Sequence, residues 1–153
     1  MAEIKCLELQ KWAKNPYMDL LQESLSKRKV ITYSAETNSF FAYFALKEGI
    51  DLVHLHLISR GGFKKAASYN FYWFFLVNQL ILLRLLGVKI FWTVHNLEPH
   101  ENEYSKLNKF YSFIVARVAN ALIVHAESCK KEIIKLLNGF RARANYFRKT
   151  YMV

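Results

Sequence analysis

Short apolar runs alternate with helical patterns along the whole of this 153-residue chain. The runs, rich in β-branched and aromatic side chains, are residues 4–9, 30–33, 51–57, 89–94 and 121–125. Each is followed by a segment whose apolar residues recur with helical spacing. Strands that alternate with helices through short connections are typical of a parallel sheet with helices on both faces. We therefore predict an α/β fold, with a Rossmann-like, doubly wound parallel sheet in three α/β/α layers.

The fourth run breaks abruptly into polar residues. Its sequence, GVKIFWTVHNLEPHE over residues 87–101, passes from a buried-strand pattern into a cluster that includes His95, Asn96, His100 and Glu101. In open α/β sheets the ligand crevice lies just outside the carboxyl ends of the strands, so a binding site is expected here. The alternative is an ordinary strand-to-helix loop whose last glutamate starts the next helix.

Histidine also ends two other predicted strands, at His56 and His125. Arg60 follows the third strand in an SRGG loop and places a positive charge at the same sheet edge. His54 and His56 are two residues apart, so both should point to one face of the strand and could share a metal ion. Because no third ligand follows at a suitable spacing, we predict polar residues near a strand end and no metal site.

Helix starts and faces follow from capping residues and spacing. Asn15 before Pro16 is a good helix start, and Glu127 with Ser128 begins the helix after the fifth strand. The first helix is predicted to turn an apolar face inward, formed by Tyr17, Leu20, Leu21 and Leu25. The helix before the fifth strand is predicted to do so with Leu107, Phe110, Ile114 and Val118.

Residues 66–86 are apolar nearly all round and raise the question of a membrane span. Asn78, Gln79 and Arg84 interrupt the segment, which argues against insertion across a bilayer. We predict a helix packed on the sheet, with most of its aromatic residues in the core. Some are expected to face a membrane surface or an apolar acceptor, and the candidates are Tyr69, Tyr72, Trp73 and Phe75.

The charge and the cysteine content limit which partners and which cellular compartment are expected. Lysine and arginine outnumber aspartate and glutamate by 22 to 12, a net charge of +10, so an anionic partner is expected. Cys6 and Cys129 are far apart and form no CxxC motif, which predicts neither a disulfide framework nor a cysteine metal site. The first ten residues carry charges and no uninterrupted apolar run, unlike a signal peptide. A cytoplasmic location is expected, with peripheral attachment to the inner membrane face as an option.

The last residues mix basic and aromatic side chains, in the sequence GFRARANYFRKTYMV. We divide the chain into a Rossmann-like domain over 1–139 and a basic, aromatic tail over 140–153. Such a tail can bind single-stranded nucleic acid, but one short segment makes a terminal contact with a membrane or another domain the preferred interpretation. Nucleic acid is therefore not an expected partner.

Several of these segments resemble the N-terminal half of GT-B glycosyltransferases, of the type that builds bacterial surface polysaccharides and glycolipids. The resemblance is carried by KWAKNPYMDLLQESL, DLVHLH, GVKIFWTVHNLEPHE and ALIVHAES, in the family's order over most of residues 4–137. It implies half of a two-domain architecture, in which the N-terminal domain holds a sugar or lipid-linked acceptor. A nucleotide-diphosphate sugar is the implied donor of the complete enzyme, and no cofactor is implied for this chain.

The resemblance also implies roles for individual residues. His95 would lie in the catalytic cleft near both sugars, and Glu101 would accept the acceptor proton or bind sugar hydroxyls. Both have the chemical type of a general base. The substrate-binding candidates all follow predicted strands, and they are Asn15, Arg60, Asn96, His100 and Glu127.

The family's second domain, with its nucleotide-binding glutamates and glycine loop, does not follow in this sequence. The chain alone is then expected to lack transferase activity, because no protein group would stabilise the charge on the diphosphate leaving group. A separate donor-binding domain or chain is an expected partner, and an open apolar cleft would favour a homodimer. The alternative function is a non-catalytic α/β interaction or regulatory module.

Overall fold

A computed structural model of the chain describes residues 3–9, 16–56, 66–94, 105–125, 127–139 and 150–152. Within these ranges, strands and helices alternate without exception. The strands are β1 (Ile4–Leu9), β2 (Val30–Ala35), β3 (Leu52–Leu55), β4 (Lys89–Val94), β5 (Ala121–Val124) and β6 (Thr150–Met152). The helices are α1 (Pro16–Ser26), α2 (Phe41–Glu48), α3 (Ala66–Leu85), α4 (Ser105–Val118) and α5 (Glu127–Gly139).

The strands form one sheet in the order β2-β1-β3-β4-β5-β6, and every neighbouring pair is parallel. Helices pack on both faces of this sheet, so the predicted α/β, Rossmann-like, doubly wound class is confirmed. The chain runs from β1 to one neighbour, β2, and later from β3 in the opposite direction to β4 and β5. The direction therefore reverses between the adjacent strands β1 and β3.

The sixth strand lies in the segment that the sequence analysis assigned to the tail. Thr150 pairs with Ala121 and Met152 with Ile123, so the end of the tail extends the sheet beside β5. Three residues are too few to show a strand period, and they follow a basic, aromatic stretch that has no such pattern. This strand therefore has no recognisable pattern in the sequence.

One face of the sheet carries the hydrophobic core. Alternate residues of the strands, among them Leu7, Leu9, Val53 and Leu55, are fully buried on this face, together with residues of α2, α3, α4 and α5. The other face carries α1, whose Gln22 amide lies 3.4 Å from the Ser34 hydroxyl of β2. It also carries the intervening strand residues, several of which are polar.

Polar residues on α3 make specific contacts to neighbouring helices. The buried Gln79 side chain accepts a hydrogen bond from the Ala42 amide at 3.0 Å and donates one to the Ser39 carbonyl at 3.0 Å. The first of these bonds satisfies one backbone amide in the first turn of α2. The Tyr69 hydroxyl donates to the Asn108 side chain of α4. The contacts of Gln79 explain why this apolar helix contains a buried amide side chain. Among the described helices, none is long and apolar enough to cross a membrane.

The structure corrects several predicted helix faces. Leu20, predicted on the inner face of α1, is 66% exposed. On α4, Leu107, Ile114 and Val118 pack against the core as predicted, but Phe110 is 46% exposed. On α3, the candidates for outward-facing aromatic residues were wrong for Tyr69, Tyr72 and Trp73, which are all buried. The exposed aromatic residues of this helix are Phe71 and Phe74. Because α3 is apolar on every side, its sequence does not reveal which face meets the sheet.

Candidate functional site

A charged and histidine-rich cluster lies where the chain reverses direction, between β1 and β3. It consists of Glu8 from β1, and of His54 and His56 at the end of β3. All three side chains are buried, with Glu8 fully inaccessible. In doubly wound sheets with the strand order 2-1-3-4-5, ligands bind beyond the carboxyl ends of the strands at this reversal. The cluster therefore occupies the topological position of a binding site.

Strand alternation and register bring these residues together. Glu8 and Cys6 point to one face of β1, while Leu7 and Leu9 point to the core. His54 and His56 likewise share a face, as the sequence predicted, with Leu55 on the other. Glu8 is paired with His54 across the parallel ladder, so the carboxylate faces both imidazoles.

The carboxylate of Glu8 contacts both histidines. Its Oε2 atom lies 2.5 Å from His56 Nε2 and 3.2 Å from His54 Nδ1. The two imidazole rings are close, with centroids 3.9 Å apart. These short contacts indicate strong, charge-assisted hydrogen bonds in a region from which water is largely excluded.

Two further residues hold the cluster in place. The hydroxyl of Thr93, on β4, lies 2.8 Å from His54 Nε2, the ring nitrogen that faces away from Glu8. The Cys6 thiol donates a hydrogen bond to Glu8 Oε1 at 3.5 Å. Burial and the adjacent Glu8 charge raise the pKa of Cys6, so this thiol stays protonated as a donor and is not a reactive thiolate. The cluster thus links β1, β3 and β4.

The protonation states follow from burial and hydrogen bonding. Burial acts to raise the pKa of Glu8, but the hydrogen bonds and charges of His54 and His56 outweigh it and lower this pKa from 4.5 to about 2. Burial lowers the pKa of His56, which outweighs the opposing effect of Glu8. The structure therefore favours an ionised carboxylate that accepts a hydrogen bond from a neutral His56.

Acid should destabilise the fold through this carboxylate. A pKa of about 2 in the folded chain and 4.5 in the unfolded chain means that Glu8 contributes stability above pH 4.5, which is lost as the pH falls towards 2. The shift corresponds to about 3 kcal/mol of unfolding free energy. Urea denaturation at a series of pH values should show this loss in the wild type. The Glu8→Gln variant has no carboxyl group to titrate, so its curve should approach the wild-type curve at low pH; parallel curves would contradict the assignment.

The other candidate residues are placed as follows. Glu127 is the first residue of α5, is exposed, and forms an ion pair with Lys130 at 3.3 Å. His125 is exposed at the end of β5 and makes a small contribution to lowering the pKa of His56. The remaining predicted site residues lie outside the described residues: Asn15, Arg60, His95, Asn96, His100 and Glu101.

Sequence reasoning missed Glu8 as a site residue. It lies 46 residues before His54, so no local spacing connects it to the histidines. One signal was present, because a carboxylate between the apolar residues Leu7 and Leu9 must find a partner when that part of the strand is buried. The atoms that could bind a metal ion, one from each of Glu8, His54 and His56, lie within 4.8 Å of one another.

Comparison with known proteins adds no family to this description. No protein-family model matches the chain, and no curated protein matches it.

Proposed function

We propose that this chain is the acceptor-binding domain of a glycosyltransferase, which acts with a donor-binding domain that holds a nucleotide sugar. The observation that carries the proposal is the buried Glu8–His54–His56 cluster at the reversal between β1 and β3. It lies at the edge of a sheet whose fold class binds ligands at that edge. The resemblance of the strand-end sequences to GT-B enzymes gives the chemical class of the ligand.

The cluster itself is too deeply buried to hold a sugar, so its proposed role is to position the strand ends. Glu8 joins β1 to β3, and Thr93 extends this connection to β4. The loops that follow these strands in sequence contain Asn15, Arg60 and His95. A rigid strand end reduces the cost of ordering such loops around a ligand.

The acceptor that fits best is a sugar linked through a phosphate or pyrophosphate to a lipid. The chain carries a net charge of +10, which favours an anionic ligand. Arg60 is the candidate for the phosphate, because a guanidinium can bind phosphate oxygens through two parallel hydrogen bonds. His95 and Glu101 are the candidates for contacts to sugar hydroxyls and for general-base catalysis. The exposed Phe71 and Phe74 of α3 offer an apolar surface for lipid.

Binding of synthetic acceptors tests the proposal. The probes are a monosaccharide linked by pyrophosphate to a short alkyl chain, the same alkyl pyrophosphate without sugar, and the free monosaccharide. Calorimetric titration of the purified chain should give saturable binding that is tightest for the complete probe. Glu101→Gln should weaken it about 10-fold or more, since a hydrogen bond to a charged group is worth about 1.5–3 kcal/mol.

The matched control is Glu23→Gln, which alters an exposed glutamate of α1 and should leave binding unchanged. Arg60→Gln should weaken binding of both pyrophosphate probes and reduce its dependence on salt. Equal affinity for the probes with and without sugar would overturn the assignment of a sugar acceptor. Absence of saturable binding to all three would overturn the proposed function as a whole and favour a non-catalytic interaction module.

A further inference from the structure

We propose that Glu8, His54 and His56 form a binding site for one divalent transition-metal ion, with Zn²⁺ as the best fit. The donor set is one carboxylate and two imidazoles, which together match the His₂Glu ligation of known three-ligand zinc sites. The candidate ligand atoms lie within 4.8 Å of one another, and they come from two strands that are held in fixed register. The inference does not depend on the proposed glycosyltransferase function.

One distance between the candidate ligand atoms already matches that of a tetrahedral ion, and a second is shorter. Bonds of 2.0–2.1 Å to a tetrahedral Zn²⁺ place neighbouring ligand atoms about 3.3 Å apart. His54 Nδ1 and Glu8 Oε2 are already 3.2 Å apart. His56 Nε2 and Glu8 Oε2, at 2.5 Å, share a hydrogen bond that the ion would replace. Their separation must grow by about 0.8 Å for one tetrahedral ion to bind both atoms.

The surrounding residues are suited to a metal site. Histidine ligands usually donate their second ring N–H to a protein acceptor, which leaves the first nitrogen free to coordinate. The Thr93 hydroxyl, 2.8 Å from His54 Nε2, can accept such a bond and direct Nδ1 towards Glu8. The Cys6 thiol contacts the other carboxylate oxygen of Glu8 and restrains its orientation.

Three protein ligands leave a fourth position of a tetrahedral ion open. In zinc proteins that position holds water or a ligand, whereas purely structural sites fill all four positions with side chains. The cluster lies at the carboxyl edge of the sheet, where ligands of this fold class bind.

Metal binding by the purified full chain tests the inference. After treatment with a chelator and its removal, Zn²⁺ is titrated in competition with a chromophoric chelator. We expect one equivalent to bind, and Co²⁺ to give the intense visible absorption of a four-coordinate site. Glu8→Gln and His56→Gln should each weaken binding at least about 100-fold, because even the loss of an outer-shell partner costs 10–100-fold.

Two matched controls separate this site from other metal-binding groups. His125→Gln removes an exposed histidine at the end of β5, and Cys129→Ser removes a cysteine of α5; neither residue belongs to the cluster, so both variants should bind as the wild type does. Thr93→Val leaves all three ligands in place and should weaken binding about 10-fold. It provides the test if circular dichroism shows that a ligand variant does not fold.

The inference is overturned if the wild type takes up less than one equivalent, or if the cobalt spectrum is that of a six-coordinate ion. It is also overturned if Glu8→Gln, His56→Gln and Thr93→Val, where folded, bind Zn²⁺ as tightly as the wild type. If the wild-type chain binds Zn²⁺ but none of the acceptor probes, the proposed function is rejected and the metal site stands. If the wild-type chain binds the acceptor probes but no Zn²⁺, the metal site is rejected and the proposed function stands.

Discussion

Replacing Glu8 by alanine is expected to lower the free energy of unfolding by about 3–5 kcal/mol. The Glu8 side chain is fully buried and bonded to His54 and His56, so its removal leaves two imidazoles and the Cys6 thiol without their shared acceptor. It also leaves a cavity beside the sheet that the rigid strands cannot close. Urea denaturation at neutral pH, followed by circular dichroism, measures the loss.

Glu23→Ala is the matched control for this substitution. Glu23 also contacts a basic partner, Lys27 at 2.7 Å, but both side chains are more than half exposed. An exposed ion pair of this kind contributes about 0.3–0.5 kcal/mol. Glu8→Gln, which keeps one oxygen acceptor, should fall between the two. If Glu8→Ala were as mild as Glu23→Ala, the buried cluster would not hold β1 against β3 in the way described.

Strand positions could be read from the sequence because the buried parallel strands are short apolar runs with clear ends. The bounds of β1 and β4 match the prediction, and β2 extends two residues further than expected. The end of α2 was predictable from a glycine. Gly49 adopts a φ of 64°, and its amide caps the last turn of the helix. This left-handed conformation is costly for other residues, so a glycine there is an informative stop signal.

Helix orientation could not be read in the same way. α3 has apolar residues on all sides, so periodicity does not distinguish Trp73, which meets the core, from Phe74, which faces outward. Its packing is set by contacts distant in sequence, such as the bond from Tyr69 to Asn108 and the capping of α2 by Gln79. Such partners are chosen by the assembled fold and leave no local pattern.

The candidate site was predictable in part. The shared face of His54 and His56 follows from strand alternation alone, and the structure confirms it. The partner of these histidines was not predictable, because the register between β1 and β3 depends on the sheet as a whole. The position of β1 beside β3 follows from the strand order, which a single sequence does not specify. The predicted roles of His95, Glu101 and the other loop residues stay predictions.

The cluster and the loop residues can therefore be tested separately. Glu8, His54 and His56 determine how the strand ends are held, and they can be tested by stability and metal binding without any substrate. The loop residues are proposed to determine which ligand binds, and the acceptor titrations test them. A variant of the cluster that folds but binds acceptor weakly would connect the two, because it would show that rigid strand ends are needed for recognition.

Replacing Trp73 by alanine is expected to destabilise the chain by about 3–5 kcal/mol. Trp73 is 1% exposed at the centre of α3, and its ring stacks on Tyr111 of α4 with centroids 4.9 Å apart. It also meets Tyr69 and Tyr72 edge to face, at 6.1 and 5.9 Å. Loss of the indole removes the largest fully buried side chain among the described residues and one of the contacts that join α3 to α4.

Phe74→Ala provides the comparison within the same helix, because this neighbouring aromatic residue is 66% exposed. Its substitution should change stability by no more than about 0.5 kcal/mol, as is usual at the surface. Thermal and urea denaturation of both variants, measured side by side, report which face of α3 meets the sheet. Equal losses would mean that Phe74 is also covered in solution. A larger loss for Phe74→Ala than for Trp73→Ala would contradict the orientation of α3 and, with it, the packing of α4 against this helix.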